Sequence, residues 1–248
     1  MVDSAGGPLK KWREIMKRLP ILMYHKIGYP RPGQRYRNLS VNPKKFARQI
    51  RWLKKRHYQT ITFSHLHDPT KTLPTKPVIV TFDDGYENTY TDALPIMHPL
   101  GFCGCVFVIA GLVGKTNEWS KGRNDVEEPL LQWVQIHELQ KAGFEIGCHS
   151  MTHRSLNGSH PDTLKREVLE SKQLLEKNLG RAIVSFAWPG GVGAEDPEKQ
   201  KFLSGCGYAF ACRSGGGTEC LPPTNPLALR RIPLGEKHTL LEFAWKLR

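Results

Sequence analysis

Short apolar runs, each about one β-strand long, recur along this chain and are separated by longer charged, amphipathic stretches. That rhythm predicts alternating strands and helices, with the strands paired in parallel. Candidate strands are Ile21 to Tyr24, Val78 to Phe82, Val106 to Ile109, Phe144 to Gly147, Ile183 to Trp188 and Tyr208 to Ala211. Candidate helices are Pro43 to Arg56, Asn88 to His98, Leu131 to Ala142 and Pro161 to Leu179. In the first helix Phe46, Ile50 and Leu53 recur at helical spacing while Lys and Arg take the other face, so the apolar stripe is core. With 248 residues, 39% of them apolar, the chain has material for one large core. Alternating α/β barrels of this length fold as single units, so one domain is the simplest reading.

Two stretches carry the chemistry: Thr81-Phe82-Asp83-Asp84-Gly85-Tyr86, directly after an apolar run, and His149-Ser150-Met151-Thr152-His153 further on. A divalent metal that activates water needs three protein donors and open positions for water and substrate. Two imidazoles and one carboxylate supply that. His149 and His153 are spaced so that in a helical turn both rings would project from one face. Of the adjacent aspartates, one can bind the ion while its neighbour takes a proton from water. Each stretch also has an ordinary reading, as two unrelated surface histidines and as an aspartate pair that caps a helix or closes a turn.

With both stretches intact and in this order, the chain resembles the polysaccharide deacetylases of carbohydrate esterase family 4, whose signatures are TFDDG and HSxxH. The likeness runs from Pro20 to Leu234 and takes in Pro20-Ile21-Leu22-Met23-Tyr24-His25, Gly143-Phe144-Glu145-Ile146-Gly147 and Phe186-Ala187-Trp188-Pro189-Gly190-Gly191. It implies an α/β fold, a distorted (β/α) barrel of about seven repeats, occupying residues 20–248 behind a basic extension over 1–19. It also implies removal of N-acetyl groups from an N-acetylglucosamine polysaccharide or oligosaccharide, with release of acetate. Asp83 would be the general base. Asp84, His149 and His153 would hold a divalent metal, foremost zinc, with cobalt or nickel as alternatives.

The chain departs from the family's pattern in two places. Most members carry the general-acid histidine in a C-terminal Leu-x-His motif, which is absent here; His238 lacks the surrounding pattern. A circularly permuted subgroup, the deacetylases of biofilm poly-N-acetylglucosamine, takes this histidine from the first strand, and Leu22-Met23-Tyr24-His25 looks like that version. His25 is therefore the candidate acid, its ordinary reading being a buttress of the barrel mouth. Most members also have an arginine orienting the base where this chain has Ala187. By the same subgroup likeness, Arg231, within Arg230-Arg231-Ile232-Pro233, takes that place and keeps Asp83 ionised, the alternative being a surface arginine. In the family the backbone N–H following the motif's proline helps form the oxyanion hole, and here that donor is Gly190.

His25, the Asp83-Asp84 pair, His149 and the Trp188-Pro189-Gly190 turn all fall just after a candidate strand, at the end of a parallel barrel where catalytic groups gather. Aromatic faces pack against sugars, which makes Tyr86, Trp188 and Trp119 the candidates for substrate contact. Trp119 lies in a polar segment between Gly111 and Pro129 too long for a minimal turn, and can equally pin its own loop. Ser214-Gly215-Gly216-Gly217-Thr218-Glu219 lacks the Lys-Ser/Thr of a phosphate loop and reads as a flexible connection. The 6 cysteines show no CxxC pair or zinc-ribbon spacing, Cys148 reads as strand packing, and Cys103 and Cys105 would face one side of a shared strand.

The formal charge of +13 implies polyanionic surroundings. Deacetylation creates amines that such a protein repels, so the charge points to an anionic membrane surface or a cell-wall polymer. Nucleic-acid signatures are absent, and no nucleic-acid partner is expected. Leu9, Trp12, Met16 and Leu19 would line one face of a short basic helix suited to a membrane surface or to the barrel bottom. No secretory apolar core or membrane span is visible, which leaves an envelope-associated or cytoplasmic-face location open. Two further functions stay open: hydrolysis of a non-sugar amide or cyclic imide at the same metal site, and a non-catalytic glycan-binding barrel.

Overall fold

The computed structural model describes residues 17–121 and 126–247. Its centre is a ring of parallel strands: β1 (Ile21–Tyr24), β2 (Pro77–Phe82), β3 (Cys105–Val108), β4 (Glu145–Cys148), β5 (Ser185–Ala187), β6 (Phe210–Gly216) and β7 (Leu229–Pro233). The order around the ring is β1–β7–β6–β5–β4–β3–β2, and pairing of β2 with β1 closes it. Closure is uneven. β4 meets β5 through one paired position, Cys148 with Phe186, and the register of β6 against β7 shifts between Cys212 and Gly216. Helices α1 (Pro43–Lys55), α2 (Trp133–Lys141), α3 (Ser171–Leu179), α4 (Pro197–Gly205) and α5 (Leu240–Lys246) pack outside.

Strand alternation builds two separate cores. Ile21, Ile79, Cys105, Phe107, Ala187, Cys212 and Leu229 fill the barrel interior. Leu22, Tyr24, Val80, Phe82, Val106, Cys148, Phe186 and Trp188 point the other way, beneath the helices. With both faces buried the strands read as continuous apolar runs, which is why the sequence shows them. The interior leaves no space at Gly147, where an added Cβ would lie 2.5 Å from Phe107 Cδ1 and 2.7 Å from Ser185 Oγ. Outside, α1 starts at Asn42, whose side chain accepts from Lys44 N, and buries Phe46, Ile50 and Leu53 as its spacing predicts.

Several expectations change. The segment from Asn88 to His98 is no single α-helix: a π-type turn at Thr89–Ala93 leads into a short helix at Leu94–Met97 and a 3-10 turn at His98–Leu100. Pro95 and Pro99 each remove a backbone donor, which breaks the regular ladder. The glycine-rich stretch after Arg213 is not a loose connection, because β6 runs through Gly216. Strand β7 has no counterpart among the predicted strands, since Arg230 and Arg231 interrupt its apolar run. Leu19 belongs to a strand, Lys17–Leu19, paired antiparallel with Glu219–Leu221, and not to a helix. Leu9, Trp12 and Met16 lie outside the described residues. Cys103 precedes β3 rather than sharing it with Cys105, and the cysteines are free thiols.

Candidate active site

Alternation that continues past the strand ends delivers the site. β1 turns Met23 and then His25 inward, β2 turns Thr81 and then Asp83 inward, and β4 is followed by inward-facing His149. β7 contributes Arg231. His25, Asp83, Asp84, His149 and His153 line one cleft of about 190 Å³ together with Tyr86, Trp119 and Gly190.

The histidine pair is not helical. Both residues sit in the loop after β4, where Ser150 has φ 65° and His153 has φ 62°. Two left-handed residues fold the chain back sharply enough to bring the second ring beside the first. Glu167, a buried residue that sequence reasoning overlooked, holds the loop: its carboxylate accepts from Met151 N at 3.0 Å, Thr152 N at 2.9 Å and Thr152 Oγ1 at 2.7 Å. Asp84 is likewise left-handed, with φ 72°, a strain of the kind found at functional sites. Nε2 of His149 and Nε2 of His153 each lie 3.3 Å from Asp84 Oδ1.

This donor set fits a divalent ion. His149 Nδ1 is 2.7 Å from Ala187 O, and because a carbonyl only accepts, Nδ1 must carry the proton. In the neutral ring Nε2 therefore bears a lone pair. It faces Asp84 Oδ1, a buried oxygen with no hydrogen-bond partner among the described residues. Lone pairs opposed this closely call for positive charge, which either a proton on the ring or a divalent ion supplies: burial works against the ring proton, and the Asp84 and Asp83 carboxylates, which outweigh it and raise the His149 pKa, attract an ion equally. Bonds of about 2.0–2.1 Å in a tetrahedral zinc site place neighbouring ligand atoms about 3.3–3.4 Å apart, matching the observed spacing. Asp84, His149 and His153 form a three-residue cluster whose ligand atoms all lie within 4.8 Å of one another.

Cys148 is no part of this cluster. Its side chain points outward, 3.2 Å from Ser171 Oγ, and burial raises its thiol pKa.

Asp83 is 2% exposed and receives two hydrogen bonds of 2.7 Å from Arg231, Nη1 to Oδ1 and Nη2 to Oδ2. The planar guanidinium matches both carboxylate oxygens. Arg231 is wholly buried, which removes the surface-arginine reading. Its aim is fixed by Nε donating to Arg213 O at 2.9 Å and Nη1 donating to Thr81 Oγ1 at 3.1 Å; sequence reasoning assigned neither partner a role. Burial acts to raise the Asp83 pKa, but the Arg231 charge and hydrogen bonds outweigh it and hold the carboxyl below its usual range. His25 Nε2 stands 4.0 Å from Asp83 Oδ2. Burial lowers the His25 pKa against the pull of the Asp84 and Asp83 carboxylates.

The aromatic candidates divide. Tyr86 and Trp119 line the cleft, and the Trp119 ring lies over His153 with centroids 4.9 Å apart. Trp188 does not face it. The outward phase of β5 buries its ring completely beside Phe186, and Nε1 donates to Leu227 O at 3.0 Å, so Trp188 is a core residue rather than a substrate contact. Gly190 reaches the cleft wall with φ 64°. Tyr36, Leu39 and Ser214 complete the lining and carry no motif by which a sequence could reveal them.

The profile of the polysaccharide deacetylase family matches residues 70–211, a span that holds Asp83, Asp84, His149, His153 and Gly190. The chain belongs to this family. His25 and Arg231 lie outside the matched span, and the barrel brings them to it. The Bacillus subtilis protein YxkH is 30% identical over 203 residues, covering 81% of this chain and 66% of that protein. A poly-beta-1,6-N-acetyl-D-glucosamine N-deacetylase of Staphylococcus aureus is 25% identical over 211 residues, covering 81% of this chain and 69% of that one. The chain thus spans about two thirds of the length of these curated relatives. A crystal structure of a polysaccharide deacetylase from Bacillus cereus shares the fold with a TM-score of 0.79 at 26% identity, covering 94% of this chain and 70% of that one.

Proposed function

We propose that this protein is a metal-dependent hydrolase that removes acetyl groups from an N-acetylglucosamine-containing glycan and releases acetate. One observation carries the reading: an ionised carboxylate clamped by Arg231 adjoins a carboxylate–imidazole–imidazole cluster, with a third imidazole, His25, 4.0 Å from that carboxylate. Asp84, His149 and His153 would hold the ion, for which zinc suits the donor set and spacing. A divalent ion bound there supplies Lewis-acid polarisation of the acetamide carbonyl and acidifies a water.

The remaining steps belong to the chain. Asp83, kept ionised and aimed by Arg231, takes a proton from the attacking water. The N–H of Gly190 serves as donor to the oxyanion that forms on the former carbonyl oxygen. His25, in the same cleft beside Asp83, passes a proton to the departing sugar amine, and acetate is released. The nitrogen gains that proton as its bond to the acetyl carbon breaks, so charge and atoms balance. The charge of +13 supports action beside an anionic membrane surface or cell-wall polymer. Among the described residues no helix is long and apolar enough to cross a membrane.

The direct test is acetate release from N-acetylglucosamine oligomers and polymer by purified protein, metal-free and reloaded with zinc or cobalt. Release should depend on metal. Asp83→Asn should keep metal and lose nearly all turnover, whereas His149→Ala should lose metal. Stoichiometric metal binding with no acetate from any glycan would refute the sugar substrate and direct the search to non-sugar amides.

A further inference from the structure

Helix α1 gives its inner face, Phe46, Ile50 and Leu53, to the core. Its outer face carries Lys44, Arg48, Arg51 and Lys55, all exposed. At 3.6 residues per turn these positions fall within about 60° of the helix circumference, along about 16 Å of its length. None of the four side chains has an ion-pair partner among the described residues, whereas Lys45 on the flank is held by Glu236 at 3.2 Å. Like charges three and four residues apart repel, so the stripe weakens its own helix and finds no compensation inside the molecule.

Helix α5 extends this face. Phe243 points into the core and meets Trp52 of α1 edge-on, with ring centroids 5.7 Å apart. On the opposite side of α5 stand Leu241 and Trp245, one turn apart and 84% and 71% exposed. Because the inner faces of α1 and α5 share one core, their outer faces look to the same side of the molecule. Trp245 also edges a groove of about 600 Å³ that Arg18 and Lys246 line. The acidic residue between Leu241 and Trp245, Glu242, is engaged as a helix cap, accepting from Thr239 N at 2.7 Å and Thr239 Oγ1 at 3.0 Å.

A partner for this face must match a row of cations and offer an apolar layer to two side chains at once. An anionic lipid surface does both. Its phosphates attract the stripe within a Debye length, and the boundary between headgroups and acyl chains receives the indole and the leucine side chain. A soluble polyanion answers the charge but leaves Leu241 and Trp245 in water.

We propose that the outer face of α1 and α5 docks this protein onto a membrane rich in anionic lipid. Tyr36 and Leu39, which line the active cleft, lie on the segment that leads into α1, so a membrane along this face reaches the lip of the cleft. The proposal gives the charge of +13 a place on the molecule and does not depend on the deacetylase reading.

Cosedimentation of the full chain with vesicles of phosphatidylglycerol and phosphatidylcholine, against vesicles of phosphatidylcholine alone, tests it. The variants are Arg48→Glu/Arg51→Glu and Leu241→Ser/Trp245→Ser, all at exposed positions, so both should keep the Tm of the unaltered chain. The unaltered chain should bind the anionic vesicles and leave them as salt rises. Arg48→Glu/Arg51→Glu should bind roughly thirtyfold or more weakly, since each basic residue at an anionic surface contributes about fivefold. Leu241→Ser/Trp245→Ser should weaken binding roughly tenfold.

No binding to anionic vesicles, or equal binding by all three proteins, would overturn the proposal. Titration with polyphosphate adds a further arm. If polyphosphate binds as tightly as the vesicles and Leu241→Ser/Trp245→Ser changes neither affinity, the face takes a soluble polyanion and the lipid assignment fails. It fails equally if Leu241→Ser/Trp245→Ser abolishes a dimer in solution, which would make the apolar pair a contact between two copies of the chain. Vesicle binding is read without turnover, so an absence of acetate release leaves it standing and counts against the deacetylase reading alone.

Discussion

Replacing Arg231 by methionine keeps the length of a buried side chain and removes its charge and donors. Asp83 then remains as a carboxylate that is 2% exposed and has lost both 2.7 Å hydrogen bonds, while Arg213 O and Thr81 Oγ1 lose a donor each. Breaking a buried ion pair by removing one partner costs about 3–5 kcal/mol, a large share of the about 5–15 kcal/mol by which a typical domain is stable. The same change acts on proton affinity. In the intact chain the Asp83 pKa is depressed, so this group's contribution to stability is present above the unfolded-state pKa and is lost as pH falls through the folded one. Without Arg231, burial dominates and the Asp83 pKa rises. Urea unfolding at neutral pH should therefore show a loss of about 3–5 kcal/mol, and the acid limb of kcat/KM should move to higher pH. The double variant Asp83→Asn/Arg231→Met removes the stranded charge and should recover part of the stability, a non-additivity that a double-mutant cycle reads directly. A loss under about 1 kcal/mol with an unmoved acid limb would show that the guanidinium neither stabilises nor tunes Asp83.

Gly147→Ala drives a Cβ to 2.5 Å from Phe107 Cδ1 inside the barrel, and overpacking of this kind costs about 1–3 kcal/mol, seen as a lower Tm. Trp188→Ala should cost about 3–5 kcal/mol in urea unfolding as a buried aromatic, while KM for glycan in the surviving folded fraction stays unchanged; a raised KM at full stability would restore the substrate-contact reading. Glu167→Gln leaves three donors of the histidine loop with a weaker acceptor. Metal affinity should fall about tenfold to a hundredfold by competition with a chelator, and unchanged affinity would mean that the loop holds its left-handed turns unaided.

What the sequence reveals, and what it hides, follows from how each element is buried. Five strands are readable because both of their faces are covered, so buried residues run without interruption, and a sixth, β6, is readable only in its apolar first half. The seventh is hidden by the residue that matters most on it. Arg231 points into the barrel where an aliphatic side chain would ordinarily stand, and Arg230 beside it pairs with Glu219, so the segment reads as a charged loop. The proposed metal ligands are readable as residue types but not as geometry, since two left-handed residues, and not a helical turn, bring His153 beside His149.

The orientation of Trp188 follows from the period of two along its strand. Phe186 and Trp188 share one phase of β5 and Ala187 takes the other, so an inward Ala187 already requires an outward Trp188. The same inward position accounts for the departure from the family's arginine. An arginine on β5 and an arginine on β7 project into the same interior, and Asp83 can engage only one guanidinium across both of its oxygens. With β7 supplying it, the β5 position needs no charge; its backbone carbonyl, whatever the side chain, accepts a hydrogen bond from His149 Nδ1 and turns Nε2 toward Asp84. The proposed base and the proposed metal ligands are thus oriented by two different strands. Arg231→Met should accordingly leave metal affinity almost untouched while it disables Asp83.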